Sequence, residues 1–304
     1  MPILCLFQGQ RIALYEHPSQ LLEIRLNNRD GINKFDQQTL NELSQIIEQL
    51  HCTPPQGLII TSAQKVFFAG GDIEEFVTRF TLDHQDILRS LHDFNAVLTR
   101  LESLPCPTIA ILNGATLGGG VELALACDYR LALPTIKIGF PEVNLGIIPG
   151  TGGTVRLARV IGAHTAAQWI SHGDIRSGEQ AYQAGVIDRL LTTADDTLSI
   201  GLTSLVELTK TAATDATKPT WQQLRSKKRH NNSPFNADDK KQLQLQIQQQ
   251  FKDQTQNARL VSIDVIAQQC LLSFEQALNN ESQQVAILGC SLTSKDLVNA
   301  FLNK

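Results

Sequence analysis

Two glutamates in apolar, glycine-bounded settings are the side chains of this sequence best suited to chemistry. Glu122 lies within "NGATLGGGVELALACD" (113–128), and Glu142 lies within "GFPEVNLGIIPGTGGT" (139–154). A third glycine-rich stretch, "FFAGGDIEEF" (67–76), precedes a helical pattern. Two carboxyl groups can act as acid and base, and backbone N–H groups in glycine turns can hold a developing oxyanion. Such a set matches the addition or removal of a proton next to a carbonyl group.

A short helix that is apolar on nearly every side is expected to carry Glu122. The preceding run "TIAILNG" (108–114) has the composition of a buried strand, and "VELALACD" (121–128) has the composition of a buried helix. We therefore expect Glu122 to be enclosed as well. Apolar surroundings would hold its carboxyl group near neutrality, poised to exchange a proton. The alternative for this segment alone is an acid that caps a helix N-terminus.

The two flanking stretches also admit simpler interpretations. Asp72 would cap a helix that begins near Ile73, which would make 67–76 an ordinary loop into a helix. The functional alternative is that N–H groups near Gly71 point at a ligand oxygen, because glycine has no Cβ to block the approach. Glu142 could likewise be a solvated loop acid.

Other familiar chemistries lack their sequence patterns. There is no dinucleotide fingerprint, no P-loop and no GxSxG elbow, and the six cysteines form no CxxC pair. The histidines form no metal-binding motif. We therefore expect no metal ion and free, structurally incidental thiols.

Composition limits the class of partner. The chain has 304 residues, 42% of them hydrophobic, and a formal net charge of −4. Nucleic acids and anionic membranes would favour a basic excess, so we expect neither as a partner. No apolar run reaches the ~18 residues of a membrane span, and the first residues lack the positive region of a signal peptide. We expect a cytoplasmic protein that binds a small molecule or another protein.

Strand-like runs dominate the first 190 residues and predict an α/β fold, without the one-to-one alternation of a Rossmann sheet. Helical stripes follow Asp36 and run from Ile87 to Leu101. The predicted strands are 12–15, 21–26, 57–62, 108–114, 129–133 and 136–140.

Beyond residue 190 the strand signal disappears and helical patterns dominate. We predict a catalytic core over 1–190 and a helical C-terminal extension over 191–304. The clearest helices of the extension are predicted at 195–212 and 258–280.

The three glycine-rich stretches resemble the signature of the crotonase, or enoyl-CoA hydratase/isomerase, superfamily. Its phrases run close to "FxAGADIxEF", "NGxALGGGxELALxCD" and "GxPEVxLGIxPGxGGTxRLxRxxG", and they correspond here to 67–76, 113–128 and 139–162. The likeness covers roughly 15–190. Within the superfamily it is greatest to the N-terminal hydratase part of the α-subunit of the bacterial trifunctional fatty-acid oxidation complex. Because the chain stops at Lys304, where the dehydrogenase domain of that subunit would begin, we expect a free-standing hydratase.

The resemblance implies a crotonase-type spiral of ββα turns with a helical C-terminal region. It implies an acyl-CoA thioester as substrate, no further cofactor, and a homo-oligomer, either a trimer or a hexamer. The implied reaction is the addition of water to trans-2-enoyl-CoA, giving 3-hydroxyacyl-CoA in fatty-acid oxidation. A Δ3,Δ2-enoyl-CoA isomerase and a non-catalytic acyl-CoA-binding subunit are the alternatives.

The resemblance also assigns the site. Gly71 and Gly119 would supply the oxyanion-hole N–H groups, and Glu122 and Glu142 would flank the double bond. Members that only shift double bonds commonly lack the first of these acids, so the presence of both favours hydration. The residues expected to bind substrate are Ala69, Gly70, Asp72, Ile73 and Lys34.

Three further residues or stretches have structural interpretations. Asp128 is interpreted as a structural cap or partner. The basic cluster "RSKKRH" (225–230) is interpreted as a solvated loop, with contact to the CoA phosphates or to a partner as alternatives. The glutamine-rich stretch 241–255 is either disordered or an ordered helix.

Overall fold

The computed structural model describes residues 3–80, 83–192, 197–214, 220–231 and 233–303. Its strands are β1 Leu4–Gln8, β2 Ile12–His17, β3 Leu21–Leu26, β4 Gly57–Ser62, β5 Val66–Phe68, β6 Thr108–Leu112, β7 Ala115–Leu117, β8 Tyr129–Ala132, β9 Lys137–Gly139, β10 Ile175–Ser177 and β11 Arg189–Leu190. Its α-helices are α1 Gln37–Cys52, α2 Ile73–Phe80, α3 His84–Glu102, α4 Gly119–Ala126, α5 Gly153–Ile161, α6 Ala163–His172, α7 Gly178–Gln183, α8 Thr197–Thr214, α9 Trp221–His230, α10 Ala237–Gln250, α11 Gln256–Gln269, α12 Phe274–Gly289 and α13 Leu292–Leu302. Short 3-10 turns occupy Pro18–Gln20 and Glu142–Leu145.

The chain divides into two compact units, each assembled from three separate segments. The first unit comprises Met1–Gly70, Val97–Ile138 and Arg176–Lys227, and the second comprises Gly71–Ala96, Gly139–Ile175 and Lys228–Lys304. The boundary near residue 190, where the strand signal of the sequence ends, stays a prediction.

The larger sheet of the first unit has the strand order β1-β2-β3-β4-β6-β8-β11 in the described part of the chain. Its first three strands are antiparallel neighbours, and pairing is parallel from β3 onwards. Parallel strands are covered on both faces and are therefore apolar throughout. Leu58, Ile59 and Ile60 of β4 are accordingly fully buried. The α/β class and the positions of the predicted strands are confirmed.

A second sheet of short strands has the order β10-β9-β7-β5, and its strand β7 leads directly into the helix that carries Glu122. The tight step from β7 into α4 is made by glycine: Gly118, the N-cap residue of α4, has φ of +49° and ψ of −117°. That region of backbone conformation is accessible chiefly to glycine. The sequence therefore places its glycines where the chain turns from strand to helix.

Helices make up most of the second unit. Helix α12 packs on α5 through a cluster formed by Val155, Phe274, Ala277 and Leu278. The single helix expected over 258–280 is wrong, because α11 ends at Gln269 and α12 begins at Phe274. Ser273 and Gln276 form a capping box there, and this pair of reciprocal hydrogen bonds starts a new helix.

Two polar stretches are helical rather than irregular. The glutamine-rich stretch lies largely in α10, whose Leu243 and Ile247 are buried. The cluster 225–230 lies in α9, so its interpretation as a loop is wrong. Helix α8 matches the helix expected at 195–212.

No single helix in the described ranges is long and apolar enough to cross a membrane. Helices α12 and α13 taken together reach the length and apolar composition of a membrane span, but the two helices are bent by 75° where they meet.

Candidate active site

The backbones of two glycine-rich turns lie side by side in the first unit. Gly70 has φ of +102°, and a Cβ placed there would lie 3.1 Å from the carbonyl oxygen of Leu117 and 3.6 Å from the nitrogen of Gly119. The carbonyl of Gly70 accepts a hydrogen bond from the N–H of Phe35 at 2.8 Å. Gly71 is the next residue along the chain. The turn that leads to Gly71 and the turn that starts α4 are therefore adjacent at Gly70 and Gly119.

Gly119 is the first residue of α4, where backbone N–H groups have no partner inside the helix. Among the described residues, no backbone carbonyl accepts from this N–H. A Cβ at Gly119 would lie 2.6 Å from the ring of Phe35, and one at Gly120 would lie 2.6 Å from the carbonyl oxygen of Phe68. The run of glycines thus lets α4 start in close contact with its neighbours. It leaves an N-terminal donor that suits a negative ligand atom.

Glu122 lies in the first turn of α4 and is only 3% exposed. Every residue of this helix is buried, as its apolar composition predicts. The N–H of Glu122 donates to the carbonyl of Gly118 at 3.1 Å. The prediction of a buried acid on a buried helix is confirmed, and its part in catalysis stays a prediction.

Glu142 belongs to the second unit and is the first residue of the turn Glu142–Leu145. It is partly buried, and the following Val143 is fully buried. The turn closes at Gly146, which has φ of +73° and whose N–H donates to the carbonyl of Val143 at 3.1 Å. Glu142 therefore stands on a defined turn rather than on an irregular loop. That Glu122 and Glu142 face one substrate stays a prediction.

Asp72 acts as the helix cap expected from the sequence. One of its carboxylate oxygens accepts from the N–H of Glu74 at 3.0 Å and from that of Glu75 at 3.4 Å, at the start of α2. These donors belong to the first turn, where capping satisfies otherwise unpaired N–H groups. Ile73 is the first residue of the same helix. Their contact with substrate stays a prediction.

Ala69 and Lys34 lie in the first unit, close along the chain to the Gly70 turn and to Phe35. The N–H of Ala69 donates to the carbonyl of Asn33 at 2.8 Å. The carbonyl of Lys34 accepts from the hydroxyl of Thr39 at 2.9 Å. Both backbones are thus fixed, whereas a role for either residue in binding substrate stays a prediction.

Sequence reasoning missed the partner of Asp128. Arg225 donates to both oxygens of this carboxylate, from Nε at 2.8 Å and from Nη2 at 2.6 Å. Asp128 also accepts from the N–H and the hydroxyl of Thr108, at 2.9 and 3.0 Å. The structural role expected of Asp128 is confirmed. The guanidinium of Arg225 is therefore paired with a buried carboxylate, and it is not the solvated charge that the sequence predicted.

In the ranges that the structure describes, no three His, Cys, Asp or Glu side chains lie close enough together to hold a metal ion. The absence of a cofactor stays a prediction.

Comparison with known proteins identifies the family. The model of the enoyl-CoA hydratase/isomerase family matches residues 16–264. The chain belongs to this family. Its predicted membership of the crotonase superfamily, made from the three glycine-rich stretches, is confirmed.

Relatives of this enoyl-CoA hydratase/isomerase family member include fatty acid oxidation complex α-subunits. The subunit from Pseudomonas syringae pv. tomato is 38% identical over 188 residues, which make up 61% of this chain and 26% of the relative. The subunit from Pseudomonas putida strain GB-1 is 38% identical over 204 residues, 66% of this chain and 28% of the relative. The chain thus spans a little over a quarter of the length of these curated relatives.

Solved structures confirm the fold of this family member. An enoyl-CoA hydratase from Bacillus anthracis has a TM-score of 0.61 and 27% identity, covering 72% of this chain and 89% of that chain. An enoyl-CoA hydratase from Bacillus halodurans has a TM-score of 0.70 and 20% identity, and the match covers 95% of this chain and 99% of that chain. The crotonase-type fold therefore extends across nearly the whole chain.

Proposed function

We propose that this protein is an enoyl-CoA hydratase, which adds water reversibly to trans-2-enoyl-CoA and gives 3-hydroxyacyl-CoA. Water attacks C3, and negative charge moves onto the thioester oxygen as an enolate. A proton is then delivered to C2. In this scheme acyl-CoA is the substrate and no further cofactor takes part.

The observation that carries the proposal is the arrangement at the start of α4. The Gly70 turn lies against Gly119, the N–H of Gly119 has no backbone acceptor among the described residues, and Glu122 is buried one turn along the same helix. An oxyanion hole needs donors in place before the charge develops, and removal of one such donor typically costs ~10²–10³ in rate. We assign the two donors to Gly71 and Gly119.

We assign the acid and base to Glu122 and Glu142. Glu122 activates the attacking water and Glu142 delivers the proton to C2. A hydratase needs both a base for water and an acid for carbon, whereas migration of a double bond can proceed with one well-placed acid. The presence of both acids supports hydration over the Δ3,Δ2-isomerase alternative.

Matched assays of hydration and double-bond migration test the proposal. Loss of the absorbance of the conjugated enoyl thioester reports hydration of trans-2-butenoyl-, trans-2-octenoyl- and trans-2-hexadecenoyl-CoA. Gain of the same absorbance from the corresponding 3-enoyl-CoA, which is 3-butenoyl-CoA for the shortest chain, reports migration. We expect hydration to be the faster reaction on at least one chain length. Migration without hydration would instead establish the isomerase, and binding without turnover would establish a non-catalytic acyl-CoA-binding subunit.

We also propose that the protein acts in fatty-acid oxidation as a homo-oligomer, a trimer or a hexamer. The pathway is supported by the relatives that share its family. The oligomeric state rests on the family resemblance, and light scattering of the purified protein measures it directly. A monomeric mass would overturn it.

A further inference from the structure

In the turn that carries Glu142, each of the three residues after this glutamate contacts a different part of the second unit. Val143 is fully buried, and its side chain lies 2.9 Å from the position that a Cβ of Gly173 would take. The side chain of Asn144 accepts a hydrogen bond at 2.6 Å, and the carbonyl of Leu145 accepts one from Ser294 of α13 at 3.1 Å. A turn anchored at every position after Glu142 has little freedom to shift.

The donor to Asn144 is Arg259 of α11, whose side chain is buried. Its Nη2 donates to Oδ1 of Asn144, while its Nη1 donates to the carbonyls of Ser171 and His172 at 2.9 and 2.8 Å. These two carbonyls end α6, where a cation is favoured by the helix dipole. The guanidinium therefore fixes the turn to the end of a helix.

Two further contacts orient the Arg259 guanidinium itself. Its Nε donates to the hydroxyl of Thr255 at 2.8 Å, and the ring of Phe251 lies 3.7 Å from its central carbon. Arginine is suited to such a site because its planar group presents several donors in fixed directions. Lysine offers one ammonium group on a flexible chain and cannot reproduce this set of contacts.

We propose that Arg259 is a positioning residue for Glu142, acting through its hydrogen bond to Asn144. This inference rests on the proposed function, in which Glu142 acts on C2 of the bound thioester. Displacement of a catalytic group by about 1 Å can cost ~10²-fold in rate. A guanidinium that fixes the turn is thus a determinant of kcat, in addition to any contribution to stability.

The test compares Arg259→Lys, Asn144→Ala and the double variant with wild type, and uses Ser262→Ala as the control. Ser262→Ala removes a buried hydrogen bond of the same helix, from the Ser262 hydroxyl to the backbone carbonyl of Arg259 at 2.7 Å, and leaves the contacts of the guanidinium in place. We expect Arg259→Lys and Asn144→Ala each to lower kcat for hydration by ~10- to 100-fold with KM little changed. The kcat of the double variant should be no more than ~3-fold below that of the less active single variant. Both substitutions break the same hydrogen bond, between Arg259 and Asn144, so their effects should not multiply. Ser262→Ala should lower the melting temperature and leave kcat within ~2-fold of wild type.

Several results would overturn the inference. They are an unchanged kcat in Arg259→Lys, losses that multiply in the double variant, or an equal loss of kcat in Ser262→Ala. If Arg259→Lys does not fold, the comparison of kcat between Asn144→Ala and Ser262→Ala is the deciding test. A wild-type protein inactive in both hydration and double-bond migration overturns the proposed function and this inference together. An active wild type with unaffected variants overturns the inference only.

Discussion

Arg225 and Asp128 form an ion pair in the first unit, in which the guanidinium donates a hydrogen bond to each carboxylate oxygen. Their side chains are only 11% and 1% exposed. The same guanidinium donates to the carbonyls of Leu104 and Cys106 at 2.6 and 3.1 Å and lies over the ring of Trp221. The Arg225 side chain thus connects α9 to the residues before β6 and to Asp128, which follows α4.

Removal of the negative partner of this ion pair should be strongly destabilising. In Asp128→Asn the Arg225 guanidinium stays buried without its counter-charge, which typically costs ~3–5 kcal/mol. The free energy of unfolding in urea measures this. Glu275→Gln is the matched control, because it breaks an exposed pair with Arg229 and should cost no more than ~1 kcal/mol. Equal losses in the two variants would contradict this account of Arg225.

Glu23 should make stability depend on acid pH. Burial raises the pKa of its carboxyl group, but hydrogen bonds from Arg25, Thr61 and His17 outweigh burial, so the net pKa in the folded protein lies below its ordinary value. This contribution to stability is complete above the ordinary pKa of about 4.5 and disappears as pH falls through the folded-state pKa.

Glu23→Gln tests this pH dependence. The amide cannot ionise, so the difference in unfolding free energy between wild type and the variant should be largest near neutral pH and should shrink as pH falls below about 4.5. Urea unfolding at a series of pH values measures it. A difference that stays constant from neutral to acid pH would show that the charge of Glu23 is not the source of its contribution.

Gly120 should not tolerate a side chain. A Cβ there would lie 2.6 Å from the carbonyl oxygen of Phe68, which belongs to a strand and cannot move freely. Gly120→Ala should therefore destabilise the protein by ~1–3 kcal/mol. Gly31→Ala is the control, because no atom lies within 4 Å of its Cβ position, and it should be neutral or mildly stabilising. Equal melting temperatures for the two variants would refute the steric argument.

Cys106 should be inert to alkylation in the folded protein. Burial raises the pKa of its thiol to about 12, so almost no thiolate forms near neutral pH. Cys5 and Cys52 are exposed and should react first. Peptide mapping after brief treatment with iodoacetamide at pH 8 measures this order. Modification of Cys106 at the rate of Cys5 would contradict it.

Local patterns were sufficient to predict the elements that carry the candidate site. The apolar run after three glycines predicted a buried helix with Glu122 inside it, and the Gly-Gly-Asp sequence predicted the cap at Asp72. Both features depend on residues within one turn of each other. The capping box of Ser273 and Gln276 is also local, and its spacing in "SFEQ" was a signal that could have placed the break between α11 and α12.

Two buried contacts that the sequence did not predict join residues far apart in the chain. Arg225 lies 97 residues from Asp128, and Arg259 lies 115 residues from Asn144. Neither arginine stands in a pattern that distinguishes it from a solvated charge. A buried ion pair or hydrogen bond of this kind is set by how whole elements pack, so one sequence without relatives does not predict it.

We propose that the buried carboxyl group of Glu122 takes part directly in hydration by activating the attacking water. The most direct test is kcat/KM for hydration of trans-2-enoyl-CoA by Glu122→Gln, with Glu23→Gln as a control that alters an equally buried carboxylate. We predict a fall of ~10²–10⁴-fold for Glu122→Gln in a folded protein, and little change for Glu23→Gln. Wild-type turnover by folded Glu122→Gln, on every chain length that the enzyme accepts, would contradict the claim.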